Sequence, residues 1–130
     1  MKVYLTGSLD RRDELRRYAD QLVSLGVTVT SRWLWADDRP SSAAEAREIA
    51  MRNVNDLLSS NVVFVFVDPS VRSQGGHHFE HGFAYGMHVL GMCRVELVGE
   101  PENVFHQVDG VKRHDNWGAA IGSLVVPGAD

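Results

Sequence analysis

The run Val62-Val63-Phe64-Val65-Phe66-Val67, closed by Asp68-Pro69, leads into Ser73-Gln74-Gly75-Gly76-His77-His78-Phe79-Glu80-His81-Gly82-Phe83-Ala84-Tyr85-Gly86. An unbroken series of β-branched and aromatic residues predicts a strand covered on both faces, as in a parallel sheet. The glycine pair then opens a helix. Glycines at a helix mouth let backbone N–H groups approach a ligand closely, and the helix start favours negative charge. Glu80 lies in the first turn of that helix. It therefore sits at the carboxyl edge of the sheet, where open α/β folds place their chemistry.

The flanking sequence repeats this alternation of strand and helix. Lys2 to Thr6 predicts a first strand, ending at Gly7-Ser8. Leu15, Tyr18, Ala19, Leu22 and Leu25 then recur at helical spacing, with Gly26 as a C-cap. Val27, Val29 and Ser31 predict a second strand ending near Trp33, followed by a loop to Pro40. Ser41-Ser42 carries an N-cap signature for a helix from about Ala43 to Leu58.

Beyond the central helix, which should end between His88 and Gly91, Cys93 to Val98 predicts a fourth strand closed by Gly99. Glu102 to His106 has room for no more than a turn of helix. Val108 to His114 holds a short fifth strand, Trp117 to Val125 a last amphipathic helix, and Pro127 to Asp130 a frayed tail. The expectation is one α/β domain over residues 1–130. It has three layers and a five-stranded parallel sheet built from right-handed βαβ units, in the flavodoxin-like order 2-1-3-4-5.

Composition narrows the partners. The chain has 130 residues and a net charge of −4, which argues against a long nucleic-acid polymer but leaves a single nucleotide allowed. The single cysteine, Cys93, excludes an internal disulfide and fits a reducing compartment. No apolar run approaches the roughly 20 residues of a membrane span, and Met1 leads directly into a strand. A cytoplasmic protein with no membrane partner is expected.

Two glycine turns, Gly7-Ser8 and Gly75-Gly76, should lie side by side at the switch point of such a sheet. With Arg11 and Arg12 nearby, the first offers N–H groups, a hydroxyl and guanidinium groups to a phosphate. The plain alternative is a strand-to-helix turn with solvated arginines. The turn lacks the lysine and spacing of a P-loop and the spacing of a dinucleotide fingerprint.

Glu80, flanked by Phe79, Phe83 and Ala84, is either a carboxylate held dry for nucleophilic attack or an exposed residue suited to the helix dipole. His77 to His81 formally matches the inverted zinc-protease pattern, but glycines interrupt the long helix that motif needs. No metal and no cofactor are expected; the histidines instead line the pocket or hydrogen-bond backbone. Asp56, late in its helix, either points over the sheet edge or is solvated. Tyr4 faces the crevice or packs in the core. Trp33 and Trp35 stack on a base, fill the core or meet a second subunit.

Taken together, three blocks resemble the nucleoside 2-deoxyribosyltransferase family, including its branch of 2′-deoxynucleoside 5′-monophosphate N-glycosidases. They are Tyr4-Leu5-Thr6-Gly7-Ser8, Asn55-Asp56-Leu57 and Gly76-His77-His78-Phe79-Glu80-His81-Gly82-Phe83-Ala84. Leu97 to His106 and Asp115-Asn116-Trp117 are similar as well. The resemblance implies Glu80 as nucleophile on C1′ of the sugar, Tyr4 as the residue orienting it, and Asp56 as the carboxylate that contacts or helps protonate the base. It implies Asn103 as an asparagine lent across a subunit interface, hence a homodimer or larger assembly.

Transferases of this family often carry an aspartate six residues before the nucleophile, where this chain has Gln74. Neutral Gln74 and Ser73, with Gly7, Ser8, Arg11, Gly75, Gly76 and His77 as further substrate contacts, tolerate a 5′-phosphate better than a carboxylate would. The expected activity is therefore cleavage of the N-glycosidic bond of 2′-deoxynucleosides or their 5′-monophosphates, with hydrolysis of the monophosphate favoured. Base exchange on free deoxynucleosides is the near alternative, and a nucleotide-binding sensor without turnover the distant one.

Overall fold

The computed structural model describes residues 1–37, 39–70 and 75–124. Its sheet has five parallel strands: β1 (Lys2–Thr6), β2 (Thr28–Val29), β3 (Val62–Val67), β4 (Arg94–Gly99) and β5 (Lys112–His114). They run in the order β2-β1-β3-β4-β5, as the sequence predicts. Every residue of β3 is buried, in keeping with its central place between β1 and β4. Each such side chain contributes about 1.5–3 kcal/mol on full burial.

Register decides which side chains share a face. Leu5 lies opposite Phe64, and Tyr4 and Thr6 lie opposite Val63 and Val65. Strand side chains alternate, so Phe64 and Phe66 share one face while Tyr4 and Thr6 point to the other. The first face is covered by α1 (Arg12–Ser24) and α4 (Trp117–Leu124): the Tyr18 ring stacks on Phe66 and Trp117, and Trp117 meets Phe64 edge-on. The second face carries α3 (Gly76–Val89), whose Glu80 bonds to Tyr4 and Thr6, with α2 (Ala43–Leu58) beside it.

Local sequence accounts for the helix starts. The Ser42 hydroxyl accepts from Glu45 N–H at 3.1 Å, and Glu45 accepts in turn from Ser41 N–H at 2.9 Å. Gly75 caps α3 with φ +94°, a left-handed conformation in which any side chain is strained. Its carbonyl accepts from both His78 and Phe79 N–H at 3.1 Å.

The second strand is shorter than expected. The chain leaves β2 at Val29 and forms a 3-10 turn over Arg32–Trp35, where a strand end and loop were predicted. Trp33 drives this: its ring is buried and its indole N–H donates to the Leu5 carbonyl at 2.8 Å, a tertiary bond with no local signature. Trp33 is thus core, whereas Trp35 is exposed. The buried Glu96 of β4 also departs from an apolar strand. His114 and Arg94 compensate it, tying β4 to β5. Val125, expected in the last helix, and the expected tail Pro127 to Asp130 lie outside the described residues.

Candidate active site

Tyr4 and Thr6 are two residues apart on β1, so both project from the same face. Both meet Glu80 on α3. The Tyr4 phenol donates to Glu80 Oε2 and the Thr6 hydroxyl donates to Oε1 at 2.7 Å. Each carboxylate oxygen thus has a hydroxyl donor fixed by the central sheet, and the Glu80 side chain is only partly exposed. Burial first, and then the Glu80 carboxylate, push the Tyr4 phenol far above its ordinary range. Tyr4 therefore stays protonated and acts only as a donor.

Asp56 is buried near the end of α2. It accepts from Arg32 N–H at 3.2 Å and pairs with the Arg32 guanidinium at 2.8 Å. The 3-10 turn that carries Arg32 thus has a second function, clamping Asp56. After burial and Glu80, the Asp56 charge also raises the Tyr4 phenol, and Arg52 lowers it.

The first glycine turn is shaped by packing. A Cβ on Gly7 would lie 3.2 Å from both Leu15 Cδ1 and Phe66 Cβ. The Ser8 hydroxyl caps the 3-10 turn Leu9–Arg11 through Asp10 N–H at 3.4 Å. Arg11 binds Glu14 at 2.8 Å and lies over the Phe66 ring, on the face of the sheet opposite Glu80. There it lines a crevice of about 280 Å³ with Asp68, Glu100 and Trp117.

The residues around Gly76 behave differently. His77 is buried and its Nε2 lies 3.2 Å from Glu102 Oε2; His78 Nε2 lies 3.7 Å from the other Glu102 oxygen. Burial holds His77 below the ordinary histidine range, helped by His78 and opposed by Glu102. Burial, with His106 next, lowers His81 to about 4. Asn103 caps the 3-10 turn Val104–Gln107 through Phe105 N–H at 2.9 Å and approaches His78 Nδ1 at 3.5 Å. His78 and Asn103, with His81, Gly82, Tyr85 and Phe105, border a crevice of about 260 Å³. Ser73 and Gln74 lie outside the described residues.

The fold thus joins Glu80 to Tyr4, and brings Asp56 near Tyr4. At the mouth of α3 it sets His77 against Glu102 and His78 near Asn103, and it turns Arg11 to the other face. Sequence reasoning missed Thr6, Arg32 and Glu102 as partners of these groups. Only Thr6 had a readable signal, its two-residue spacing from Tyr4.

A solved structure of a 2-deoxyribosyltransferase from the psychrotolerant bacterium Bacillus psychrosaccharolyticus has the same fold. The TM-score is 0.71 at 19% sequence identity, over 92% of this chain and 90% of that one. No family model and no curated protein matches the chain. Among the described residues, no helix is long and apolar enough to cross a membrane.

Proposed function

We propose that the chain is an N-glycosidase or deoxyribosyltransferase acting on 2′-deoxynucleosides or their 5′-monophosphates, with Glu80 as nucleophile and hydrolysis of the monophosphate favoured. The observation that carries this reading is the double grip of Tyr4 and Thr6 on the Glu80 carboxylate at the carboxyl edge of the sheet. A solvated helix residue needs no such anchoring. The protein with the shared fold is described as a biocatalyst for the synthesis of antiviral and antitumoral nucleosides, which supports the same substrate class.

In the first step a Glu80 oxygen attacks C1′ while the C1′–N bond breaks. Positive charge grows on the sugar ring, and a carboxylate beneath it lowers the barrier before closing to a glycosyl ester. The electron pair of the broken bond leaves with the base. Asp56, steadied by Arg32, contacts that base and assists the proton it takes up. In the second step water or another base attacks C1′, the ester bond breaks, and Glu80 returns as a carboxylate. Tyr4 and Thr6 keep the carboxylate aimed through both steps, which reduces the reorganisation each requires.

The 5′ end of the substrate lies towards the mouth of α3. There Gly75, Gly76 and His77 receive a phosphate, aided by Gly7 and Ser8 across the switch point. Arg11, held on the other face by Glu14 and the Phe66 ring, is left out of this phosphate contact. Asn103 acts from a neighbouring subunit in a homodimer or larger assembly, in keeping with the exposed Phe79, Val104 and Phe105 around it. We place the enzyme in the cytoplasm and expect the glycosidic reaction to need no cofactor.

Chromatography of reactions with deoxynucleosides and their 5′-monophosphates, each with and without a second base, tests this reading. Free base from the monophosphate without an acceptor supports hydrolysis. A new nucleoside appearing only with an acceptor supports transfer. Binding without any product would leave the nucleotide sensor in its place.

A further inference from the structure

The zinc-protease spacing would pair His77 with His81, one helical turn apart. The fold groups different residues. At the start of α3 the adjacent rings of His77 and His78 lie with centroids 4.0 Å apart, and both reach Glu102, which enters from the segment after β4. One ligand atom from each of His77, His78 and Glu102 lies within 4.8 Å of the others. We propose that these residues form a binding site for a divalent transition-metal ion of the zinc class, with two imidazoles, one carboxylate and a coordination position left for solvent.

The distances fit that chemistry. Bonds of about 2.0–2.2 Å in tetrahedral geometry place ligand atoms roughly 3.3–3.6 Å apart. The observed separations are 3.2 Å between His77 Nε2 and Glu102 Oε2, and 3.7 Å between His78 Nε2 and Glu102 Oε1. These are to different carboxylate oxygens, so the rings and carboxylate turn to bring one atom of each, now within 4.8 Å of one another, onto a single ion. Two imidazoles with one carboxylate suit zinc better than calcium or magnesium, which prefer oxygen ligands.

Supporting bonds already orient the carboxylate. Asp68 N–H donates to Glu102 Oε2 at 3.0 Å, and Glu102 N–H donates to His106 Nδ1 at 2.9 Å. Such outer contacts are what hold a metal ligand in place. A second observation points to polar content here. His106 is about 5% exposed, its ring lies against His78, and its buried Nε2 has no hydrogen-bond partner among the described residues. With Nδ1 accepting from Glu102 N–H, Nε2 carries the proton and is a buried donor beside the cluster. Without metal the same residues make a hydrogen-bonded clamp between α3 and the segment after β4.

His77 is also one of the proposed phosphate contacts, so metal binding is read without substrate, apart from the glycosidic reaction. Full-length protein freed of metal with a chelator is titrated with Zn²⁺ by calorimetry, and with Co²⁺ by visible absorption. The expected result is one ion per chain with Kd below about 10 µM and the absorption of tetrahedral Co²⁺. Affinity should fall at least about tenfold in His78→Ala and in Glu102→Gln, and stay unchanged in His88→Ala, with folding checked by circular dichroism. A Kd above that threshold would overturn the proposal. Binding that survives both His78→Ala and Glu102→Gln would overturn it as well.

Discussion

Tyr4 and Glu80 stand 76 positions apart in the chain, and the Tyr4 phenol donates directly to the Glu80 carboxylate. β1 lies beside β3, and α3 follows β3, so parallel pairing brings the first strand under the helix that carries the acid. The Tyr4 ring is wholly buried, which anchors this donor to the core. The proposed nucleophile is thereby held by a donor buried in the central sheet.

Tyr4→Phe should lower kcat about 10–100-fold and leave KM nearly unchanged, because a hydrogen bond to a charged group is worth about 1.5–3 kcal/mol. Thr6→Val should act in the same direction, and Thr6→Ser should restore most activity. Steady-state kinetics on a 5′-monophosphate checks all three.

Asp56→Asn keeps the shape of the side chain and removes its charge. Activity should fall about 10²–10⁴-fold, the range expected for loss of an acid–base group, while the thermal midpoint moves little. A larger loss with a poor leaving base than with a good one would show that Asp56 acts on the departing base. Equal losses would assign it to positioning.

Gly7→Ala should destabilise the fold by about 1–3 kcal/mol, the usual range for overpacking a filled core. The new methyl would lie 3.2 Å from Leu15 and Phe66 side-chain atoms. Urea denaturation measures this, and a neutral result would mean that α1 moves freely away from the sheet.

Acid should unfold the metal-free protein earlier than its carboxylates alone require. His81 is held at about 4 in the fold against 6.5 when unfolded, mainly by burial. His77 and His106 shift the same way, also by burial. Between those values the unfolded chain binds more protons, so this stability is complete above about 6.5 and lost as pH falls towards 4. Thermal midpoints across that window, taken in chelator, should fall on acidification. His81→Gln should flatten the slope.

Much of this architecture was readable because hydrophobic patterning is local. The apolar run of β3, the helical spacing of Leu15, Ala19 and Leu22, and the Ser42 cap all survive in the structure. What escaped depends on contacts between distant segments. The turn at Arg32–Trp35 exists because Trp33 finds the Leu5 carbonyl and Arg32 finds Asp56, 24 residues away. Glu102 sits after a strand in an irregular stretch, with no periodicity to mark it as the partner of His77. Thr6 was quoted within a motif, yet its hydroxyl gains meaning only once α3 lies over β1.

The most direct test compares the unaltered enzyme with Glu80→Ala. Both are incubated with a panel of 2′-deoxynucleosides and their 5′-monophosphates, and the released base is quantified by chromatography. The account predicts that the unaltered protein releases base and that Glu80→Ala, folded by circular dichroism, releases less than about one thousandth as much. Comparable release from both proteins, or none from either across the whole panel, would contradict it.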